Sequence, residues 1–482
     1  MMGVLCQIKS GGKWLFPLLA ACCWAGCDII SGDEKASFFV ARYRVEGIRD
    51  STFQKNGVAY AAFTTTRSAA DPQPFKGINA KVDALIIDHR MRVVAAGCTR
   101  NRQGRHIALV RFLEGSGALD RDFARNGKQL YSDEMGNLCE AKSVAVDTDN
   151  RILTAGFVQK REGPDFSDFV LICCNEAGEL DPAFGLAGFA TTTFHAVLNE
   201  AVYSVRFIGG NRLLAAGSGE FHTGRAMAVA ARFDRYGQLD RSYGIDGRII
   251  TPFTGYADAR ITDMAIDSAG RIVAIGNATI RGRNQLVMVR FHSNGAPDRS
   301  FGPSGVVTLT PNGMLAERTG SLALYSDGRI LVAGEALSSR NENRILLARF
   351  LADGTLDRSF GNQGRVLKAI ERTVELTVTD IALAVGEKII LAGKVQMTGG
   401  ANRMLLARFT RSGNPDLSFD GKGYLLSNLD GAADLEPRSV IADPFGNILV
   451  GGWALFEAPP SESPPQDAPA DTSDLFTRRS ED

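Results

Sequence analysis

The sequence predicts an all-β fold: a seven-bladed β-propeller with four antiparallel strands per blade and one blade completed by both chain ends. Three observations carry this. The phrase Leu-Asp-x-x-Phe-Gly, with small variations, returns seven times, anchored at Asp50, Asp120, Asp181, Asp240, Asp298, Asp357 and Asp416, with separations of 70, 61, 59, 58, 59 and 59 residues. An apolar run ending in Ala-Gly or a near variant closes at Gly97, Gly156, Gly217, Gly276, Gly334, Gly393 and Gly452, again at intervals of 58 to 61 residues. The chain also begins and ends the repeat on complementary halves. Self-similarity at a fixed period decides architecture before any local reading does.

One unit shows why the repeat is a blade. Asp380 to Ala384 reads as a short strand, followed by a turn through Gly386. Lys388 to Gly393 is a second strand, Met404 to Phe409 a third, and Gly423 to Leu426 a fourth. Short β-rich runs between Gly, Asn, Pro and Asp clusters, without helical periodicity, define an antiparallel meander. Runs as continuous as Ile330 to Gly334 suit strands covered on both faces. A four-stranded sheet repeated about an axis is a propeller blade. With the strands called a to d in chain order, the N-terminal half unit (Phe38–Tyr43, Val58–Tyr60) supplies c and d. The C-terminal half unit (Ser439–Ala442, Ile448–Gly452) supplies a and b. Joining them closes the ring and removes two exposed sheet edges.

The phrases Leu347-Ala-Arg-Phe-Leu-Ala-Asp-Gly-Thr-Leu-Asp-Arg-Ser-Phe-Gly361 and Ser326-Asp-Gly-Arg-Ile-Leu-Val-Ala-Gly334 resemble the bacterial delta-60 repeat, a family similar to β-propellers. The resemblance runs over nearly all of residues 38 to 453. It implies the fold and assigns no chemistry.

Outside the repeats, residues 1–21 read as a lipoprotein-type signal peptide. Lys9 and Lys13 precede a short apolar stretch, and Leu19-Ala-Ala-Cys22 looks like a lipobox whose Cys22 takes the lipid; Cys27 is the rival. Residues 22–36 form a tether, 37–456 the propeller, and 457–482 a disordered Pro/Ser/acid-rich tail that cannot bury a core. The expected location is therefore the bacterial cell envelope, with the protein held to the membrane by lipid alone. Formal net charge is zero, so no global field favours nucleic acid. A monomer without cofactor is expected.

Recurrence separates scaffold from function. Seven equivalent Asp residues one blade apart cannot share acid–base work; each is expected to cap its own turn. The aromatic residues Phe53, Phe123, Phe184, Tyr243, Phe301, Phe360 and Phe419 are expected to fill gaps between blades. A strand-c arginine recurs at Arg42, Arg111, Arg232, Arg290, Arg349 and Arg408 and suits an ion pair with that Asp; Cys173-Cys174 stands in its place in one blade. Cys98 and Cys139 share a rim and read as two thiols, with a disulfide as the rival.

The a–b and c–d connections repeat, whereas the b–c and d–a connections vary, as loops available for binding do. The candidate binding rim comprises Arg100, Arg102, Arg105, His106, His195, Glu200, Glu220, His222, Arg281 and Arg283, all read as loop residues. The acids Glu140, Asp434 and Glu436 also fall there. No metal signature is formed by His195, His222, Glu200 and Glu220. No G-x-S-x-G or H-E-x-x-H occurs. The expected role is a non-catalytic binding or assembly scaffold for an envelope protein or glycan. The alternative is a glycan lyase or hydrolase with a blade-specific site on the same rim.

Overall fold

The computed structural model describes residues 35–456, apart from 64–78, 102–103, 132–137, 160–166, 195–197, 210–211, 221–225, 253–256, 268, 281, 304, 310–313 and 339–341. Seven four-stranded antiparallel blades make up this region. Blade 1 runs a Asn79–Ile87, b Val93–Asn101, c Gly104–Phe112 and d Lys128–Tyr131. Five further blades follow in the same order: blade 2 (Leu138–Val146, Ile152–Gln159, Ser167–Cys174, Phe189–Thr192), blade 3 (Leu198–Ile208, Arg212–Glu220, Ala226–Phe233, Arg248–Pro252), blade 4 (Ala257–Ile266, Ile272–Ile280, Arg283–Phe291, Val306–Leu309), blade 5 (Met314–Leu324, Ile330–Ser338, Asn343–Phe350, Arg365–Ala369) and blade 6 (Thr373–Ala384, Lys388–Met397, Asn402–Phe409, Tyr424–Ser427). Blade 7 takes strands a and b from Ala432–Ala442 and Ile448–Phe456, and strands c and d from Lys35–Tyr43 and Val58–Ala61.

The join in blade 7 is an unbroken ladder. Nine residue pairs, from Lys35 opposite Phe456 to Tyr43 opposite Ile448, align in register. The a strands lie innermost, each touching the a strands of both neighbouring blades around the full circle. Apolar side chains from facing sheets fill the seven wedges between blades. One such wedge holds Phe39, Ile390, Met404, Leu406, Phe419 and Val450.

Every a strand carries a register shift near its middle, for example between Val82 and Ala84 and between Pro437 and Ser439. A β-bulge of this kind pushes the inner strand's carbonyl toward strand b. The Ala-Gly ending answers it: a Cβ on Gly97 or Gly452 would collide with the carbonyl of Lys81 or Glu436. The recurring glycine is thus required by close backbone approach.

The c–d end is a seven-fold repeated clasp. Each motif Asp accepts the N–H two residues on, as Asp357 does from Ser359 at 3.0 Å. The strand-c arginine donates Nε to the same carboxylate at 2.7 to 2.9 Å in six blades. Its guanidinium lies 4.5 to 4.9 Å over the motif aromatic and donates onward to a carbonyl in the next blade, such as Arg349 to Arg411 at 2.6 Å. That aromatic packs beneath a turn glycine of the next blade, Phe360 under Gly413 and Phe419 under Gly47. The expected turn capping, ion pairing and gap filling are all present.

Blade 2 solves the missing arginine differently. Arg151, just before its strand b, holds Asp147 at 2.8 Å and also reaches Asp181 at 3.0 Å. It approaches the next blade's turn at Arg235 O, 3.5 Å. One arginine covers the vacated position. Cys173 and Cys174 are buried, and burial pushes their thiols up to about 12 and about 11, so they behave as apolar filling. None of the four described cysteines forms a disulfide, so Cys98 and Cys139 are not joined.

Candidate functional site: the axial mouth at the variable end

Several residues read as rim loops belong to strands. Arg100 lies in strand b of blade 1, Arg105 and His106 in its strand c, and Arg283 in strand c of blade 4. Glu220 ends strand b of blade 3, half-buried. Glu140 and Glu200 sit in the inner strands of blades 2 and 3 and are buried. The strands extend beyond their apolar centres, so polar residues near their ends remain inside the ladder. Cys22, Cys27, Arg102, His195, His222 and Arg281 lie outside the described residues.

Glu200 is therefore a core carboxyl and not a rim acid. Its Oε1 accepts Phe194 N–H at 2.6 Å, while its buried Oε2 has no hydrogen-bond partner. Burial, opposed by that N–H and reinforced by Asp168, pushes it up to about 8. His106 is also buried, which lowers its pKa.

At the variable end the blades stop repeating. The residue after each strand-b glycine is Cys98, Phe157, Ser218, Asn277, Glu335, Lys394 or Trp453: seven blades, seven residue types. The consequence is an uneven axial mouth. Across blades 7, 1 and 2 a chain of charges connects Arg105 to Glu140 (2.6 Å), Glu140 to Lys142 (3.1 Å), Lys142 to Asp83 (3.4 Å) and Asp83 to Arg438 (3.9 Å). Arg438 also pairs with Glu436 at 3.1 Å. Burial opposes the charge on Lys142, but Asp83 and Glu140 outweigh it and raise its pKa, so it stays cationic. Beside this chain, Trp453 has Lys81 Nζ 5.6 Å and Lys394 Nζ 5.9 Å from its ring centroid, supplied by the blades on either side. Lys394 and Asn402 both contact Asp434, at 3.0 and 2.9 Å.

The opposite side of the axis carries a second cluster. Ser321 Oγ lies 2.8 Å from Asp263 Oδ2 and 2.9 Å from Asp380 Oδ1, linking blades 4, 5 and 6. One hydroxyl hydrogen cannot serve two carboxylates, so the trio holds an extra proton when both contacts are hydrogen bonds. Burial raises both acids. For Asp380, burial is opposed by the Val440 N–H and reinforced by Asp263, bringing it to about 6. Arg206 lowers Asp263 in part.

This acid pair belongs to a repeated structural position. Asp263 Oδ2 accepts Leu322 N–H and Asp380 Oδ2 accepts Val440 N–H, each from the next blade. Ser143 and Ser439 do the same for Val205 and Leu85. The acids occupy a serine's place in an inter-blade link. Among the described residues no group of three or more His, Cys, Asp and Glu is placed to hold a metal.

A repeat-built propeller with a uniform clasp at one end and a blade-specific mouth at the other is the class of protein this geometry defines. In sequence, residues 270–301, 326–360 and 388–419 match a family described as a domain of unknown function (DUF5122) beta-propeller. These segments cover the region from the a–b turn or strand b to the motif aromatic in blades 4, 5 and 6. No curated protein matches the chain. Similar solved structures include a polysaccharide lyase of family PL25, an ulvan lyase bound to -[GlcA(1-4)Rha3S]-, at 12% identity and TM-score 0.46, covering 77% of this chain and 90% of that one. A GH43 endo-arabinanase from Bacillus licheniformis is 14% identical at TM-score 0.31, with 55% of this chain and 92% of that chain covered. A glucose dehydrogenase is 13% identical at TM-score 0.36, with coverage of 65% and 94%.

Proposed function

We propose that the protein is a non-catalytic binding or assembly scaffold of the bacterial cell envelope, of delta-60 repeat type, held to the membrane through a lipid on Cys22. One observation carries the binding role: seven equivalent strand-b positions at the variable end hold seven different residue types, while the clasp end is nearly uniform. Blade-specific side chains around one mouth suit recognition of a particular partner. The carboxylates of that mouth are tied to fixed cations, and the Asp263–Ser321–Asp380 trio is an inter-blade link, which favours binding over hydrolysis or lyase chemistry. Among the described residues no helix is long and apolar enough to cross a membrane; attachment rests on the expected lipid.

The test is retention on envelope fractions by the full chain and by a variant whose residues 221–225 are replaced with Gly and Ser. Loss of retention with unchanged melting supports the scaffold; undiminished retention rejects a role for those residues. Release of shortened glycan fragments by the parent chain would establish the enzymatic alternative. Fatty-acid labelling that persists in Cys22→Ala would move the anchor to Cys27.

A further inference from the structure

The mouth formed by blades 6, 7, 1 and 2 is oversupplied with donors. Among the described residues, its ion-paired and ring-stacked cations are Lys81, Arg105, Lys142, Lys394 and Arg438, and the carboxylates they meet are Asp83, Glu140, Asp434 and Glu436. That leaves one positive charge over, and the surplus has an address. Lys81 is half-buried against Trp453 and makes no ion pair with a described carboxylate. Trp453 Nε1, and the Nε atoms of Arg105 and Arg438 in the adjoining ion-pair chain, are buried with no hydrogen-bond partner. Buried N–H groups without acceptors in a native fold call for an explanation, an unseen ligand or water among them. Trp453 Nε1 belongs to the ring that Lys81, the uncompensated cation, lies against.

We infer that this mouth binds a carboxylated sugar, a uronate-type residue of a glycan, whose carboxylate is held by Lys81 beside Trp453. The inference rests on the scaffold reading and names its ligand class. A carboxylate supplies the missing negative charge and acceptor lone pairs, and the contact with an ammonium is charge-assisted. The rest of the sugar accounts for the other groups. Hydroxyls both donate and accept, matching a setting where Lys394 and Asn402 alternate with Asp434 and Glu436. Indole presents an apolar body with a polar N–H, suited to a ligand that is part apolar and part hydroxylated. An acidic peptide side chain brings a carboxylate without hydroxyls, so it gives Lys81 its acceptor but leaves Asp434 and Glu436 without the donors that ring hydroxyls supply.

Trp453 supplies the readout. The only other tryptophans are Trp14 and Trp24, so the full chain with Trp14→Phe and Trp24→Phe reports from the mouth alone. Polygalacturonate is expected to change its fluorescence saturably, while neutral dextran and polyglutamate leave it unchanged. Lys81→Ala weakens the response at least about tenfold, roughly 1.4 kcal/mol, and Lys81→Arg retains most of it. No saturable change with polygalacturonate, an equal response to polyglutamate, or a Lys81→Ala titration matching the parent overturns the inference. Should Lys81→Ala fail to fold, the three-polymer comparison on the parent chain still decides. Envelope retention that depends on residues 221–225, together with no polygalacturonate response, would remove the sugar and leave the scaffold reading standing.

Discussion

Arg408 and Val45, 363 residues apart in the chain, are joined by a hydrogen bond from the Arg408 guanidinium to the Val45 carbonyl. The same guanidinium holds Asp416 at 2.9 Å and lies over Phe419. Blade 6 therefore grips blade 7 through a residue the N-terminal segment supplies. Asp420 N–H adds a bond to Glu46 O at 3.0 Å across the same seam.

Arg408→Ala leaves Asp416 with Lys388 at 3.0 Å and Ser418 as its remaining partners. Breaking a buried pair on one side costs about 3–5 kcal/mol when no partner is left; with Lys388 in place the expected loss lies below that range and is read as a lowered urea midpoint. Arg408→Lys restores little, because one ammonium cannot reproduce the fork that contacts carboxylate, Ser418 and Val45 together. A Lys variant that melts like the parent would show that charge alone suffices.

Removing residues 38–60 takes strands c and d from blade 7 and exposes the apolar edge of Ile448–Phe456. Loss of a single cooperative transition is expected by calorimetry. A shortened chain that melts as the intact one does would mean that the join adds nothing to stability.

In blade 2 the double change Arg151→Ala with Cys173→Arg is expected to recover much of the stability lost by Arg151→Ala alone. Cys173 occupies the arginine's place in strand c, and Asp181 waits for a cation there. Cys173→Arg by itself sets two guanidiniums near one carboxylate and should destabilise. Equal melting temperatures for Arg151→Ala and the double variant would reject the substitution logic.

Stability is expected to fall on both sides of a mid-acid optimum. Asp298 and Asp416 are depressed to about 2: for Asp298 mainly by its Ser300 hydrogen bond, and for Asp416 because Ser418, Lys388 and Arg408 outweigh its burial. Their contribution is present above the unfolded carboxyl range near pH 4 and is lost as pH falls toward 2. Asp380 and Glu200, raised by burial to about 6 and about 8, retain protons that the unfolded chain releases near pH 4. Their contribution is complete below that range and is lost as pH climbs through those values, at about 1.4 kcal/mol per pH unit for each retained proton. Urea midpoints measured from pH 2 to 9 check this. Asp380→Asn should flatten the decline up to pH 6, and Glu200→Gln the part that continues to pH 8. Unchanged slopes in both variants would count against retained protons.

The repeat made most of the scaffold legible. Asp357, Phe360 and Arg349 recur because each does the same job in nearly every blade, and recurrence is visible in a single sequence. What it hid was whatever broke the pattern. Arg105, Glu140 and Glu200 read as loop residues because apolar alternation fades toward the strand ends, whereas the ladder continues through them. The bulge in each inner strand leaves no residue signature of its own; only the recurring glycine opposite betrays it. Trp453 marks the mouth, and its standing just after Gly452 in the strand-b pattern was the available signal. Arg151 standing in for a strand-c arginine depends on reach across a blade, which spacing does not encode.

The composite blade also fixes a schedule. Lys35–Tyr43 is synthesised about 400 residues before its ladder partner Ile448–Phe456. At roughly 5–20 residues per second of synthesis, that strand waits on the order of tens of seconds with Phe38, Phe39 and Val40 unclaimed. A newborn chain has to be shielded from its neighbours for that interval, and crowding or slowed elongation should harm this protein more than a blade-by-blade assembly would suffer.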